Sequence, residues 1–154
     1  MLTSHGVFTE AELKSRYEIT LENNCKTIII EANTMADMAK VQIAPAIEAY
    51  AADVAKAASA KKALDPALAC SYETGLVRKL SGLTDSIAAR AEALENAVMA
   101  VSEETDIGAE AEIIRDCALV KMNELRVVCD EAETITAKSY WPFPTYGDLL
   151  FGVR

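Results

Sequence analysis

Leu80, Ile87, Leu94 and Val101 stand at strict seven-residue intervals. Seven residues are close to two turns of an α-helix, so the four side chains make one stripe suited to a coiled-coil-like seam. Leu76, Leu83 and Val98 widen it at three- and four-residue steps. The helix carrying this stripe is predicted to span about 66–104. Asp65-Pro66 supplies a start signal, with Asp65 as N-cap and Pro66 in the first helical position. Gly82 lowers helix propensity mildly and is read as the mark of a close helix crossing.

The same period appears on both sides. Thr9 and Glu12 have the spacing of a capping box, in which each side chain satisfies an orphan backbone N–H. Phe8 and Leu13 can staple the chain's entry. Apolar or small residues then recur at Leu13, Tyr17, Leu21, Ile28, Ala32, Met35, Ala39 and Gln42, and onward through Ala46, Tyr50 and Val54. They predict a helix over about 10–60. Pro45 lacks an N–H and crowds the preceding turn, so a kink is expected there. Ile114, Ala118, Leu125, Val128, Ala132 and Ile135 predict a third helix over about 107–139, which must stop before Pro142. At about 1.5 Å per residue the helices span roughly 75, 55 and 45 Å, more than a compact globule of this size needs.

These readings define an all-α fold: an elongated antiparallel three-helix bundle with a kinked first helix and an extended aromatic C-terminal tail (140–154), in one domain, 1–154. The overhang of the first helix is expected to pack on the tail or on another chain. Hydrophobic residues make up 51% of the chain, but alanine supplies much of that. Helices packed closely through small side chains follow, and a β-sandwich is disfavoured. Thr27–Ile30 is strand-like in composition yet lies within the helical register.

With a net charge of −9 and a pI near 4.6, the chain carries no basic nucleic-acid footprint. Lys61-Lys62 reads as a solvated helix end. No apolar run is long enough to span a bilayer and 1–8 has no signal-peptide core, so a cytoplasmic location is expected. Cys25, Cys70, Cys117 and Cys129 form no C-x-x-C pair and read as free thiols acting as small hydrophobes. His5, the sole histidine, reads as a loop residue. The acidic pairs Glu103/Glu104, Glu110/Glu112 and Glu131/Glu133 read as solvated faces, and Met35 and Met38 as core filler. Glu31, Asn33 and Asp37 admit two readings, buried register-setting hydrogen bonds or one exposed face. No glycine-rich phosphate loop or nucleophile–histidine arrangement is present. No catalytic, cofactor-binding or metal residue is predicted.

The last fifteen residues, Y-W-P-F-P-T-Y-G-D-L-L-F-G-V-R, hold five of the nine aromatics: Tyr140, Trp141, Phe143, Tyr146 and Phe151. Disordered tails are poor in aromatics, so this one is built to dock. Trp141-Pro142-Phe143-Pro144 is expected to be extended. Asp148 is read as the cap of a last turn carrying Leu149, Leu150 and Phe151. The candidate docking residues are therefore Trp141, Phe143, Tyr146, Leu149, Leu150 and Phe151. Closure of the tail's own bundle and docking on a partner both remain open.

The run from Trp141 to Phe151 is similar to the extreme C-terminus of type III glutamine synthetases. S-R-Y-E-I-T-L-E (Ser15–Glu22), C-K-T-I-I-I-E-A-N-T-M-A-D-M-A-K (Cys25–Lys40) and Q-I-A-P-A (Gln42–Ala46) resemble a block at the start of that family's C-terminal helical region. Between about 51 and 137 only a helical pattern is shared. The resemblance implies a fragment of a larger enzyme lying mostly upstream of Met1. That enzyme joins glutamate to ammonia at the expense of ATP, through a γ-glutamyl phosphate and with divalent metal (Mg or Mn). Its ligands lie on an upstream catalytic β-sheet, and no position here matches them. The implied partners are the upstream catalytic domain and neighbouring subunits of a dodecamer, with no nucleic acid and no membrane. The expected role is structural, in oligomerisation. The alternative is a stand-alone helical interaction module that uses the aromatic tail.

Overall fold

The computed structural model describes Thr3 and residues 5–152. The chain enters its first helix through a turn at Gly6, whose φ of 66° suits glycine. Thr9 and Glu12 form the capping box: the Glu12 N–H donates to Thr9 Oγ1 (3.2 Å) and the Thr9 N–H to Glu12 Oε2 (2.8 Å). From there α1 (Glu10–Met38) runs through a π-helical turn (Ala39–Ile43) directly into α2 (Ala44–Leu64). The three pieces hold 29, 5 and 21 residues, a rod on the order of 80 Å.

At Pro45, where a kink is expected, the helical rod instead runs on without a break, and the π turn lies just upstream of the proline. Pro45 thereby falls in the first turn of α2, where a missing N–H matters least. The turn also sets the register. Ala39, Ile43, Ile47 and Ala51 are all buried and recur every four residues. In a plain α-helix that row would drift by about 40° per step, or about 120° over three steps. A π turn closes i to i+5 and absorbs one extra residue, about 100°, so the row stays on one face. Beyond the turn the face therefore differs from the predicted one: Ile43, Ile47 and Ala51 are buried, Tyr50 and Val54 are half-buried, and Gln42 is exposed.

Helix α3 (Ser71–Ser102) starts five residues later than Asp65-Pro66 suggested. Asp65 instead ends α2, and its Oδ1 accepts from the Ala67 N–H (2.9 Å). The competing local hydrogen bond holds 65–67 in a turn rather than a helix. Gly82 is exposed, and a Cβ there would meet nothing within 4 Å, so it marks no close crossing. Asp106 caps α4 (Ile107–Ile113) by accepting from the Ala109 N–H (2.9 Å). A second π turn (Ile114–Ala118) leads into α5 (Leu119–Ile135).

Ion pairs give the packing directions. Lys40 meets Glu95 and Lys61 meets Glu73, so α3 runs back along the first rod. Lys79 meets Glu131 and Arg90 meets Glu124, so α5 runs back along α3. The architecture is an all-α antiparallel bundle of three long helical rods, with no strand among the described residues. Leu80, Ile87 and Leu94 are fully buried at its centre, flanked by Ala32, Ala36, Ala39, Ala91 and Ala132. Those alanines let the helices approach closely. Val101 joins a second cluster with Cys25 and Ile114 at the far end. Past that cluster the start of α1 is largely exposed: between Glu10 and Thr20 only Leu13 is half-buried, Ile19 faces solvent, and Tyr17, also exposed, lines an open groove with Asp106 and Gly108 beside α4.

Candidate functional site in the C-terminal tail

The tail begins earlier than the predicted end near 139. Thr136 leaves the helical conformation, is buried, and donates through Oγ1 to the Ala132 carbonyl (2.8 Å). The N–H groups of Tyr140 and Trp141 then both address the Ala137 carbonyl, at 2.9 and 3.3 Å. This turn reverses the chain onto α2.

There the Tyr140 ring packs on Tyr50, centroids 5.2 Å apart and planes at 44°. Its hydroxyl donates to Asp53 Oδ2, while Lys56 donates to Asp53 Oδ1 (2.9 Å). The Tyr140 bond, then Lys56, holds the Asp53 carboxyl below the ordinary range, and the same bond raises the Tyr140 phenol. Trp141 and Phe143 meet edge to face at 6.3 Å and 75°, and both are half-buried against the main core.

A six-residue helix, α6 (Tyr146–Phe151), follows. Thr145, not Asp148, is its N-cap. The Asp148 N–H donates to Thr145 Oγ1 (3.3 Å), and the Asp148 carboxylate accepts from the Thr145 N–H (2.9 Å). Lys138 adds a bond to Asp148 (2.6 Å). That ammonium, with the Thr145 donors, lowers the Asp148 carboxyl to about 2.

The predicted docking residues thus divide. Trp141 and Phe143 lie together against the bundle. Leu149, Leu150 and Phe151 face solvent at 65%, 68% and 84% exposure. The side chain of Tyr146 lies outside the described residues. The Tyr50–Asp53–Tyr140 anchor was missed in the sequence. Tyr50 and Asp53 share one helix face at i, i+3, but nothing local couples them to a tyrosine far along the chain.

The remaining candidates are dispersed. Glu31, Asn33 and Asp37 are all exposed, which excludes buried register-setting hydrogen bonds, but Glu31 lies on the opposite side of α1 from Asn33 and Asp37, so they do not form one face. Glu104 accepts from the Thr105 and Asp106 N–H groups, and Glu131 pairs with Lys79. His5 is exposed in the lead-in turn. Cys25, Cys70 and Cys129 are buried and Cys117 half-buried, all free. Among the described residues no group of three or more His, Cys, Asp or Glu is placed to hold a metal ion. Nor is any described helix long and apolar enough to cross a membrane. An open groove of about 370 Å³ between α1 and α5 is lined by Ile30, Met35, Met38 and Ile43, and its rim carries Arg126 and Asp130.

The class these features define is an alanine-packed, all-α bundle domain with apolar side chains exposed at its projecting N-terminal end and on its last helix. Comparison with known proteins narrows it. Residues 1–62 match the family described as the glutamine synthetase C-terminal domain. Over its whole length the chain is 34% identical to a glutamine synthetase of Butyrivibrio fibrisolvens, covering 22% of that protein. Over 98% of its length it is 26% identical to the type-3 glutamine synthetase of Dictyostelium discoideum, covering 21% of it. The chain is thus similar along its length to glutamine synthetases, and its residues 1–62 carry the match to their C-terminal domain family. It spans about a fifth of the length of these curated relatives.

Proposed function

We propose that this bundle is the C-terminal helical domain of an ATP-dependent glutamate–ammonia ligase of nitrogen assimilation, and that its own role is structural. The carrying observation is the similarity along the entire chain to proteins about five times its length. On this reading ATP, divalent metal and the reacting groups belong to the catalytic remainder of the polypeptide. The bundle contributes subunit packing in a homo-oligomer and supplies no catalytic residue. The projecting start of α1 and the exposed Leu149, Leu150 and Phe151 are surfaces suited to contact that remainder or a neighbouring subunit. Cytoplasmic residence accompanies this reading.

The test is removal of this region from the full-length synthetase, followed by mass measurement of the assembly. Loss or shrinkage of the oligomer is expected; an unchanged assembly with full activity would refute a packing role. A second reading, a helical module that binds a partner protein in trans, is favoured by the exposed face of α6. A partner captured by the isolated chain through Leu149–Phe151, with no synthetase present, would support it over the first.

A further inference from the structure

We propose that residues 137–152 form a detachable strap, which lifts from the bundle as one unit while α1–α5 stay folded. The proposal stands apart from the glutamine synthetase reading and rests on how the tail is attached. Among the described residues, no backbone hydrogen bond joins 137–152 to α1, α2 or α3; the tail's backbone bonds close on Ala137 and Thr145. One side-chain hydrogen bond crosses, from Tyr140 to Asp53 on the exposed side of α2. Otherwise the attachment consists of the Tyr140 ring on Tyr50 and the half-buried Trp141 and Phe143. Local opening costs only the contacts it breaks, and these are few beside the fully buried Leu80, Ile87, Leu94 and Leu125 of the bundle.

Unit behaviour follows from bracing inside the strap. Lys138 near its root bonds Asp148 in α6, ten positions on, and the same carboxylate closes the Thr145 capping box. Trp141 and Phe143 are in contact with each other. The root is well defined: Thr136 is buried and bonded back to Ala132, so the hinge lies at Thr136–Ala137. Lifting adds Trp141 and Phe143 to the exposed Leu149, Leu150 and Phe151, and bares Tyr50 on α2. The two states offer different apolar surfaces from one sequence.

Trp141 is the only tryptophan, so its emission reports the strap, while far-UV circular dichroism reports the bundle. The experiment is urea titration of the 154-residue chain with both probes. The Trp141 transition is expected at lower urea and with a shallower slope, since less surface is exposed. Tyr140→Phe removes the crossing hydrogen bond and keeps the ring. It should raise the opened fraction roughly two- to ten-fold, the range for one lost hydrogen bond. Phe143→Ala should move the Trp141 transition further, and in both variants the dichroism transition should stay in place. Coincident transitions in the wild type, or a dichroism midpoint that moves with the Trp141 midpoint in Phe143→Ala, would overturn the proposal.

Discussion

Deleting Val41 should leave the bundle folded, whereas deleting Ala88 should not. Both residues are exposed and helical, and Val41 is 63% exposed. The difference lies in the turn that each occupies. Val41 sits in the π turn that holds the extra residue. Removing it converts that turn to ordinary α geometry and keeps Cys25, Ala32 and Ala36 in line with Ile43, Ile47 and Ala51. The main cost is that Pro45 no longer follows a widened turn, about 3 kcal/mol or somewhat more for a proline inside a helix. Pro45→Ala should restore most of that loss in the double variant and change little by itself. Ala88 lies in the regular α3. Its loss rotates everything beyond by about 100°, turning Leu94, Val98 and Val101 off the seam. At about 1.5–3 kcal/mol per buried apolar side chain, those three alone contribute roughly 4.5–9 kcal/mol. That approaches the whole stability of a typical domain, about 5–15 kcal/mol. Thermal and urea melts followed by circular dichroism decide the matter. If the Val41 deletion unfolds the chain as thoroughly as the Ala88 deletion, the register argument fails.

Gly82→Ala should stabilise the chain by about 0.5–1 kcal/mol, because a methyl there meets nothing within 4 Å; a lowered melting temperature would contradict this. Asp148 is held down to about 2 by Lys138 and Thr145. A depressed carboxyl contributes stability above the ordinary value near 3.9 and loses it as pH falls through the folded one. The amide resonances of Leu149 to Phe151 should therefore shift between about pH 4 and pH 2, and an Asp148→Asn variant should show no such transition. With a thiol reagent at mildly alkaline pH, Cys117 should react first. Cys25, Cys70 and Cys129 are buried, and burial, with Asp130 nearby, pushes the Cys129 thiol up to about 11. Mass spectrometry of the labelled peptides gives the order, and early labelling of Cys129 would show that its site opens.

What was legible in the sequence is what depends on short spacing. The heptad series of α3 and the Thr9–Glu12 box are local, and each is where the pattern placed it. Asp65-Pro66 misled because the same two residues serve a helix start and a turn, and the local bond to Ala67 decided for the turn. The α2 face was misread because a fixed step of 3.6 residues was carried across Ala39–Ile43. A π turn has no residue signature of its own, and the four-residue recurrence of small and apolar positions becomes informative only once the partner helix is known. The tail's aromatic density announced docking, but its split into an anchored half and a solvent-facing half depends on Tyr50 and Asp53, residues far off in sequence.

The same division bears on what the domain does. A core of alanine and heptad leucine needs nothing beyond its own three rods, and the fully buried residues are shared among all of them. Among the apolar residues that this packing leaves exposed are Tyr17 and Ile19, in the turns of α1 before Leu21, and the contiguous Leu149, Leu150 and Phe151 of α6. Both belong to segments that are short of partners inside the chain: α1 outruns α3 and α4, and α6 is braced only to its own strap. Family similarity within residues 1–62 takes in the first of them. An isolated bundle would be as stable without either, since neither adds a residue to the core clusters beyond half-buried Leu21 at the edge. Their cost in exposed apolar surface is therefore best explained by a contact outside the bundle. Truncating the chain before Leu21 should accordingly leave the thermal midpoint of the bundle nearly unchanged while weakening assembly of a full-length synthetase that carries the same truncation. A midpoint that falls as far as for a core substitution would place the projecting turns in the fold rather than in its contacts.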